Sequence, residues 1–101
     1  MAKATYLFTV SEVFAPKNHG LVLMPGVSVH HGPGVRVGDT IELRRPDGQT
    51  LTSVIKGYEQ PSPPPILVNP SITDYSVGIM LHAGLTENDV PAGTEVWLIE
   101  A

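Results

Sequence analysis

The sequence predicts an all-β fold, a small closed or partly closed Greek-key β-barrel of about six to seven antiparallel strands. Three observations lead to this class. Apolar residues occur in alternation or in short runs, and helical spacing is almost absent. Turn residues separate these runs at intervals of roughly ten residues, which is typical of barrels and sandwiches. The chain also contains ten glycines and ten prolines, as many turns between short strands require.

The length and composition indicate one globular domain covering residues 1–101. The apolar fraction of 42% and the charged fraction of 16% exclude a disordered acidic or basic tail. Without cysteine, the chain has no disulfide framework, no thiolate nucleophile and no cysteine-type zinc site. The net charge of −4 argues against tight non-specific binding to nucleic acid, which usually needs a basic excess.

Six strands are predicted with a possible seventh, each a run of apolar or alternating residues bounded by turn residues. They are Thr5–Phe14, Leu21–His30, Thr40–Arg45, Thr50–Glu59, Tyr75–His82 and Thr94–Glu100, with a short additional strand at Ile66–Val68. Inward-facing positions in the first strand are Tyr6, Phe8, Val10 and Val13. Tyr58, Tyr75 and Trp97, like Tyr6, are interpreted as core or groove residues, and the core is favoured in a barrel this small.

Turn residues set the predicted boundaries. Pro25-Gly26 interrupts the second strand, and a bulge or bend is expected there because proline lacks a backbone donor. Pro46-Asp47-Gly48-Gln49 predicts a hairpin turn, since Asp-Gly tolerates positive φ angles. The proline-rich segment 60–65 predicts an extended surface connection. Thr86 with Asp89 indicates one capped helical turn at Thr86–Val90.

Several runs of the sequence, taken in order, resemble the second-domain β-barrel of translational GTPases, the elongation factor Tu-like translation-protein barrel. The runs are FTVSEVF at 8–14, GLVL at 20–23, VGDTIEL at 37–43, TSVIKGYE at 52–59, VGIML at 77–81 and NDVPAGT at 88–94. The resemblance spans nearly the whole chain and implies the same barrel fold. In that family the barrel packs beside a GTPase domain and, in elongation factor Tu, helps to hold the aminoacyl end of tRNA.

The nucleotide machinery of that family is missing from this sequence. No G-x-x-x-x-G-K-[ST] loop is present to hold a nucleotide phosphate and position magnesium. We therefore expect no nucleotide, no cofactor and no enzymatic activity. Nucleophilic catalysis is also disfavoured, because no G-x-S-x-G motif accompanies the serines.

The resemblance marks Glu59 as a binding residue. Gly57-Tyr58-Glu59 matches the segment whose glutamate lies at the terminal adenosine of tRNA in elongation factor Tu. Pro61 replaces the ring side chain that follows in the family, and the next loop is replaced by prolines at 63–65. The alternative is that Glu59 is a solvated carboxylate at the end of a strand.

Three arginines form the other candidate binding group. Arg44 and Arg45, with Arg36 and Lys56, are expected at one rim of the barrel, where arginine can bind phosphate in a bidentate manner. The alternative is that these side chains are solvated at strand ends.

A metal site is the weakest candidate. His30 and His31, with Asp39, form the best cluster, but adjacent strand residues point to opposite faces and rarely share a metal. A metal-dependent enzyme using His30 or His31 is therefore kept as the last of three functional hypotheses.

The leading hypothesis is a stand-alone, non-catalytic binding or adaptor module. A protein partner or self-association is favoured over nucleic acid, and RNA or ribonucleoprotein contact is the alternative. No apolar run approaches the roughly 20 residues of a membrane helix. No signal-peptide core is visible. We therefore expect a cytoplasmic protein without membrane contact.

Overall fold

A computed structural model describes residues 3–15, 20–28, 34–59, 69, 71, 76–82 and 84–100. They form seven strands and one short 3-10 helix at Glu87–Asp89. The strands are β1 (Lys3–Thr9), β2 (Glu12–Phe14), β3 (Leu21–Ser28), β4 (Thr40–Arg44), β5 (Thr50–Glu59), β6 (Ser76–Leu81) and β7 (Glu95–Glu100). The predicted strand at Ile66–Val68 lies outside the described residues, as do His30, His31 and Tyr75.

The strands form one antiparallel sheet in the order β1-β7-β4-β5-β6-β3-β2. Strand pairing among the described residues does not close this sheet. Its two edges are nevertheless consecutive in the chain, because only Val10 and Ser11 separate β1 from β2. The Val10 N–H donates to the Thr94 carbonyl beside β7, and the Ser11 N–H donates to the Met24 carbonyl in β3. The chain thus passes from one edge to the other, which confirms the predicted all-β, barrel-like architecture.

Alternating residues of the strands fill the interior. The fully buried side chains include Leu21, Leu23, Ile41, Leu43, Ile55, Ile79, Leu81 and Val96. In β4 and β7 these residues alternate with half-buried ones, as a sheet with one packed face requires, whereas β3 and β6 also bury consecutive residues. Burial of this apolar surface is the main stabilising contribution to a domain of this size.

The bend predicted at Pro25-Gly26 is present. The register between β3 and β6 shifts between Leu23 and Val27. Gly26 has φ +89°, and a side chain there would overlap the Val77 carbonyl of β6. The predicted hairpin at 46–49 is also confirmed, because β4 and β5 pair antiparallel across it. The capped turn is confirmed by the Thr86 N–H, which donates to Asp89 Oδ2 at 2.8 Å.

The prediction that Tyr6 faces the core is wrong. Phe8 and Val10 are buried as predicted, but the pairing of β1 with β7 shifts between Tyr6 and Phe8. Leu7 therefore packs against the core beside Phe8, and Tyr6 lies on the outer face, 45% exposed. A one-residue irregularity reverses the facing of the residues before it.

Candidate binding surfaces

An open apolar pocket lies on the outer side of the barrel, where β2, β3 and the end of β5 come together. It is lined by Phe14, Ala15, Val22, Met24 and Glu59 and has a volume of about 480 Å³. This volume is in the range of sites that hold a side chain or a small ligand. The lining is apolar except for the carboxylate of Glu59.

Strand register explains why these residues meet. Phe14 pairs with Val22 across β2 and β3, and Glu59 pairs with Gly78 across β5 and β6. Gly78 has no side chain, so Met24 and Val22 extend over it. A Cβ built at Gly78 would lie 2.6 Å from Met24 Sδ and 3.0 Å from Val22 Cγ1. The glycine thus allows two apolar side chains to span the gap between β3 and β5.

Phe14 is the accessible part of this pocket. Val22 is only 1% exposed, although the buried core cluster does not include it, whereas Phe14 is 47% exposed. The ring lies beside buried aliphatic groups, and its removal from water by a partner makes the free energy of binding more favourable. The arrangement suits a non-covalent apolar contact with one polar interaction at the rim.

Glu59 lies at the end of β5 and is exposed. The structure places it beside apolar groups at the rim of the pocket, where its carboxylate is able to accept hydrogen bonds or pair with a cation. The sequence singled out Glu59 but not Phe14, Ala15, Val22 or Met24. Nothing in the sequence distinguishes these four residues from other apolar residues. Only the pairing of the strands brings them together.

The three arginines do not converge on one rim. Arg36 lines a separate, mainly polar cavity of about 440 Å³ with Asp39, Thr40 and Glu100, near the start of β4. Arg44 ends β4 and Arg45 follows it, and Arg44 is roughly 14 Å from Thr40 at the start of the strand, at about 3.4 Å per residue. Both are paired with carboxylates: Arg44 with Glu42 at 3.3 Å, and Arg45 with Asp47 at 3.1 Å.

A second surface, which we call the aromatic face, is formed by the outer side of β1, β7, β4 and β5. At its centre the Tyr6 and Trp97 rings meet edge to face with centroids 5.4 Å apart. The Arg44 guanidinium carbon lies 4.1 Å from the Trp97 ring centroid, a cation–π geometry. Trp97 Nε1 donates to Glu95 Oε1 at 3.0 Å.

The assignment of Trp97 to the core is also corrected by this geometry. Val96 and Leu98 are the buried residues of β7, and Trp97, between them, points to the opposite side. Tyr58 is partly buried and packs against the core, as predicted. The sequence did not indicate that Tyr6, Trp97 and Arg44 are neighbours, because they come from three separate strands.

Among the described residues, Tyr58 is the one ionisable group whose pKa is clearly shifted. The Tyr58 hydroxyl donates to the Val35 carbonyl at 2.6 Å, which ties residues 34–39 to β5. Burial, and secondarily the negative charge of Asp39, raise the pKa of Tyr58 above its ordinary value of 10.0. Both effects disfavour the phenolate in the folded chain.

A pH dependence of stability follows from this shift. Between the unfolded and the folded pKa of Tyr58, the unfolded chain has lost the phenolic proton and the folded chain has retained it. We therefore expect the free energy of unfolding to fall as the pH rises above about 10. Urea unfolding of the native chain and of Tyr58→Phe measures this. The difference in the free energy of unfolding between the two chains should shrink as the pH rises from about 9 towards about 11. A constant difference would contradict the assignment.

The described residues contain no group of three or more histidine, cysteine, aspartate or glutamate side chains placed to hold a metal ion. His30 and His31 lie outside that part of the chain, so the histidine hypothesis stays a prediction. In the part of the chain that the structure describes, we also find no helix with the length and apolar character needed to cross a bilayer.

Comparisons of the chain with protein-family models, with curated proteins and with solved structures found no match.

Proposed function

We propose that this chain is a non-catalytic binding module, an adaptor that recognises a protein segment through the apolar pocket of Phe14, Ala15, Val22, Met24 and Glu59. The observation that carries the proposal is the exposure of the Phe14 ring beside the buried Val22. Exposed aromatic rings next to apolar side chains are common anchors of protein interfaces. We propose a cytoplasmic location as part of this function.

The chemistry of the pocket defines the segment it would take. Its floor suits one aliphatic or aromatic side chain of the partner, since the lining is apolar apart from Glu59. Glu59 at the rim favours a lysine or arginine next to that side chain. Glu12, which is exposed and pairs with Met24 in the register, adds a second carboxylate on the same side of the sheet. The net charge of −4 acts in the same direction by attracting cationic partners.

Affinity capture tests the class of partner. The tagged chain is used as bait in a native lysate that is divided into a nuclease-treated and an untreated half. We expect a protein that is retained in both halves and released by excess peptide carrying an apolar residue beside lysine. Loss of all captured protein after nuclease treatment would contradict a direct protein contact.

RNA contact is the second candidate, and the position of Glu59 at the rim of an apolar pocket favours it. The resemblance to the translation-protein barrel implies a nucleoside at this position, held by apolar packing and a carboxylate. The arginines contribute little to this reading, because none of the three lines the pocket. The expected phosphate contribution is therefore small.

Binding to tRNA and the salt dependence of that binding test this candidate. If RNA binds here, Glu59→Gln weakens binding to the 3′ end of tRNA, and the affinity changes little with salt because few phosphates are neutralised. A steep loss of affinity with salt would place the contact on the arginines instead. No measurable binding to tRNA removes the candidate.

A further inference from the structure

The aromatic face is separate from the pocket, because Tyr6, Trp97, Arg44 and Glu95 do not line the pocket. Register places its outward side chains in rows across four strands. Tyr6, Trp97, Glu42 and Thr52 form the middle row. Glu95 and Arg44 lie side by side at the centre of the next row. The two flanking strands of the face are open to solvent, since Val54 on β5 is 36% exposed and Tyr6 on β1 is 45% exposed.

We propose that the aromatic face binds a second copy of this chain in a reversible two-fold dimer. A two-fold interface requires a surface that is complementary to itself. The face carries both signs of charge at adjacent strand positions, Arg44 on β4 and Glu95 on β7. A face with only one sign of charge would repel its own copy.

The register determines how the two copies meet. A two-fold axis that lies between β7 and β4, parallel to the strands, places each residue of β7 opposite a residue of β4 in the other copy. Arg44 of each copy then lies opposite Glu95 of the other, and this pair forms twice. Facing sheets cross at about 30°, and the displacement of a residue from its partner grows with its distance from the crossing point. Arg44 and Glu95 are on the two strands beside the axis, and so is Glu42, which then lies opposite Trp97 of the other copy.

The side chains are already partly ordered for this contact. The Arg44 guanidinium lies over the Trp97 ring and pairs with Glu42, while 39% of its side chain stays exposed. Trp97 holds Glu95 through its indole N–H. Groups that are held in place before binding lose less side-chain entropy on association. Tyrosine, tryptophan and arginine are also the residue types enriched at the centres of protein interfaces.

The size of the face predicts a weak dimer. Four strands about 4.8 Å apart and five residues rising about 3.4 Å each cover roughly 320 Å² per copy, or about 650 Å² in total. Stable interfaces usually bury about 1,200–2,000 Å². We therefore expect a Kd between about 10 µM and 1 mM.

The lone tryptophan makes the association directly measurable. Trp97 is the chain's one tryptophan and lies at the centre of the face. Sedimentation equilibrium from about 10 µM to 1 mM should show the mass rising from 10.8 kDa towards twice that value. Trp97 emission should change over the same range. A native chain that stays monomeric at about 1 mM overturns the proposal.

Charge reversal tests the pairing itself. In Arg44→Glu, two glutamates face each other at both contacts, and in Glu95→Arg, two arginines do. We expect each variant alone to raise the Kd at least about tenfold, which corresponds to about 1.4 kcal/mol. Mixing the two variants places glutamate opposite arginine at both contacts, so a heterodimer should form with a Kd within about threefold of the native one. Failure of the mixture to associate, with both variants folded, overturns the proposed geometry.

Two further variants keep the proposal testable if a charge reversal does not fold. Val54→Lys adds a charge at the exposed margin of the face and should weaken the dimer. Phe14→Asp, on the other side of the barrel, should leave the dimer unchanged while removing any partner bound in the pocket. A native dimer that is insensitive to Val54→Lys, or that is lost with Phe14→Asp, contradicts dimerisation through this face. The effects of Val54→Lys and of Phe14→Asp on the dimer therefore distinguish this proposal from the pocket-binding function.

Discussion

Gly26→Ala should lower the free energy of unfolding by at least about 4 kcal/mol, or prevent folding altogether. The backbone at Gly26 has φ +89°, which an L residue adopts only with strain. The new methyl group would also overlap the Val77 carbonyl oxygen of β6. Backbone atoms of a paired strand cannot rotate away, so the pairing of β3 with β6 has to open. A small domain has only about 5–15 kcal/mol of stability in total.

Gly38→Ala is the matched control for this prediction. Gly38 also has a positive φ, +97°, but nothing lies within 4 Å of a Cβ built there. The free energy of unfolding of this variant should therefore fall only by about 1–2 kcal/mol, which is the cost of the left-handed backbone conformation for an L residue. Urea unfolding followed by circular dichroism compares the two variants with the native chain. Equal losses of free energy of unfolding in the two variants would contradict the claim that the bend needs glycine because Gly26 packs closely against β6.

Leu43→Ala should lower the free energy of unfolding by about 2–5 kcal/mol. Leu43 is fully buried in β4, between β5 and β7, and its side chain belongs to the core cluster. Truncation removes buried methyl groups and leaves a cavity, because the paired strands on both sides cannot move in to fill it.

Val54→Ala serves as the comparison in the same sheet. Val54 lies on the outer face of β5 and is already 36% exposed. We expect a loss below about 1 kcal/mol, because little apolar surface changes its environment. Thermal unfolding at low chain concentration measures both variants. A similar loss for Leu43→Ala and Val54→Ala would contradict the assignment of the interior.

Local sequence signals predicted the parts of the fold that depend on local chemistry. Pro25-Gly26 predicted the bend, Asp47-Gly48 predicted the hairpin turn, and the bounds of β5 agree with the predicted Thr50–Glu59. Each signal comes from φ preferences or from a missing backbone donor, which the residue type alone determines. These features can therefore be predicted from the sequence without knowledge of distant contacts.

The features that the sequence did not predict depend on pairing between strands that are distant in the chain. The irregularity beside Leu7 is specified by pairing with β7, and it alone moves Tyr6 from the core to the surface. The pocket depends on Gly78 lying between Met24 and Glu59, which are far apart in the chain. Glu59 was predicted as a site residue, whereas its apolar neighbours have no local signal. The resemblance to the translation-protein barrel is tested by none of these observations and stays a prediction, for the family as for the function.

The most direct test of the central claim is a calorimetric titration of the captured partner with three forms of the purified chain: native, Phe14→Asp and Val37→Asp. Phe14 and Val37 are both exposed hydrophobic residues, at 47% and 59%, but only Phe14 lines the pocket. We predict that Phe14→Asp raises the Kd by at least about 30-fold, close to 2 kcal/mol, while Val37→Asp changes it less than about twofold. Equal affinity of all three forms, each shown to be folded, would contradict the pocket as the site of binding.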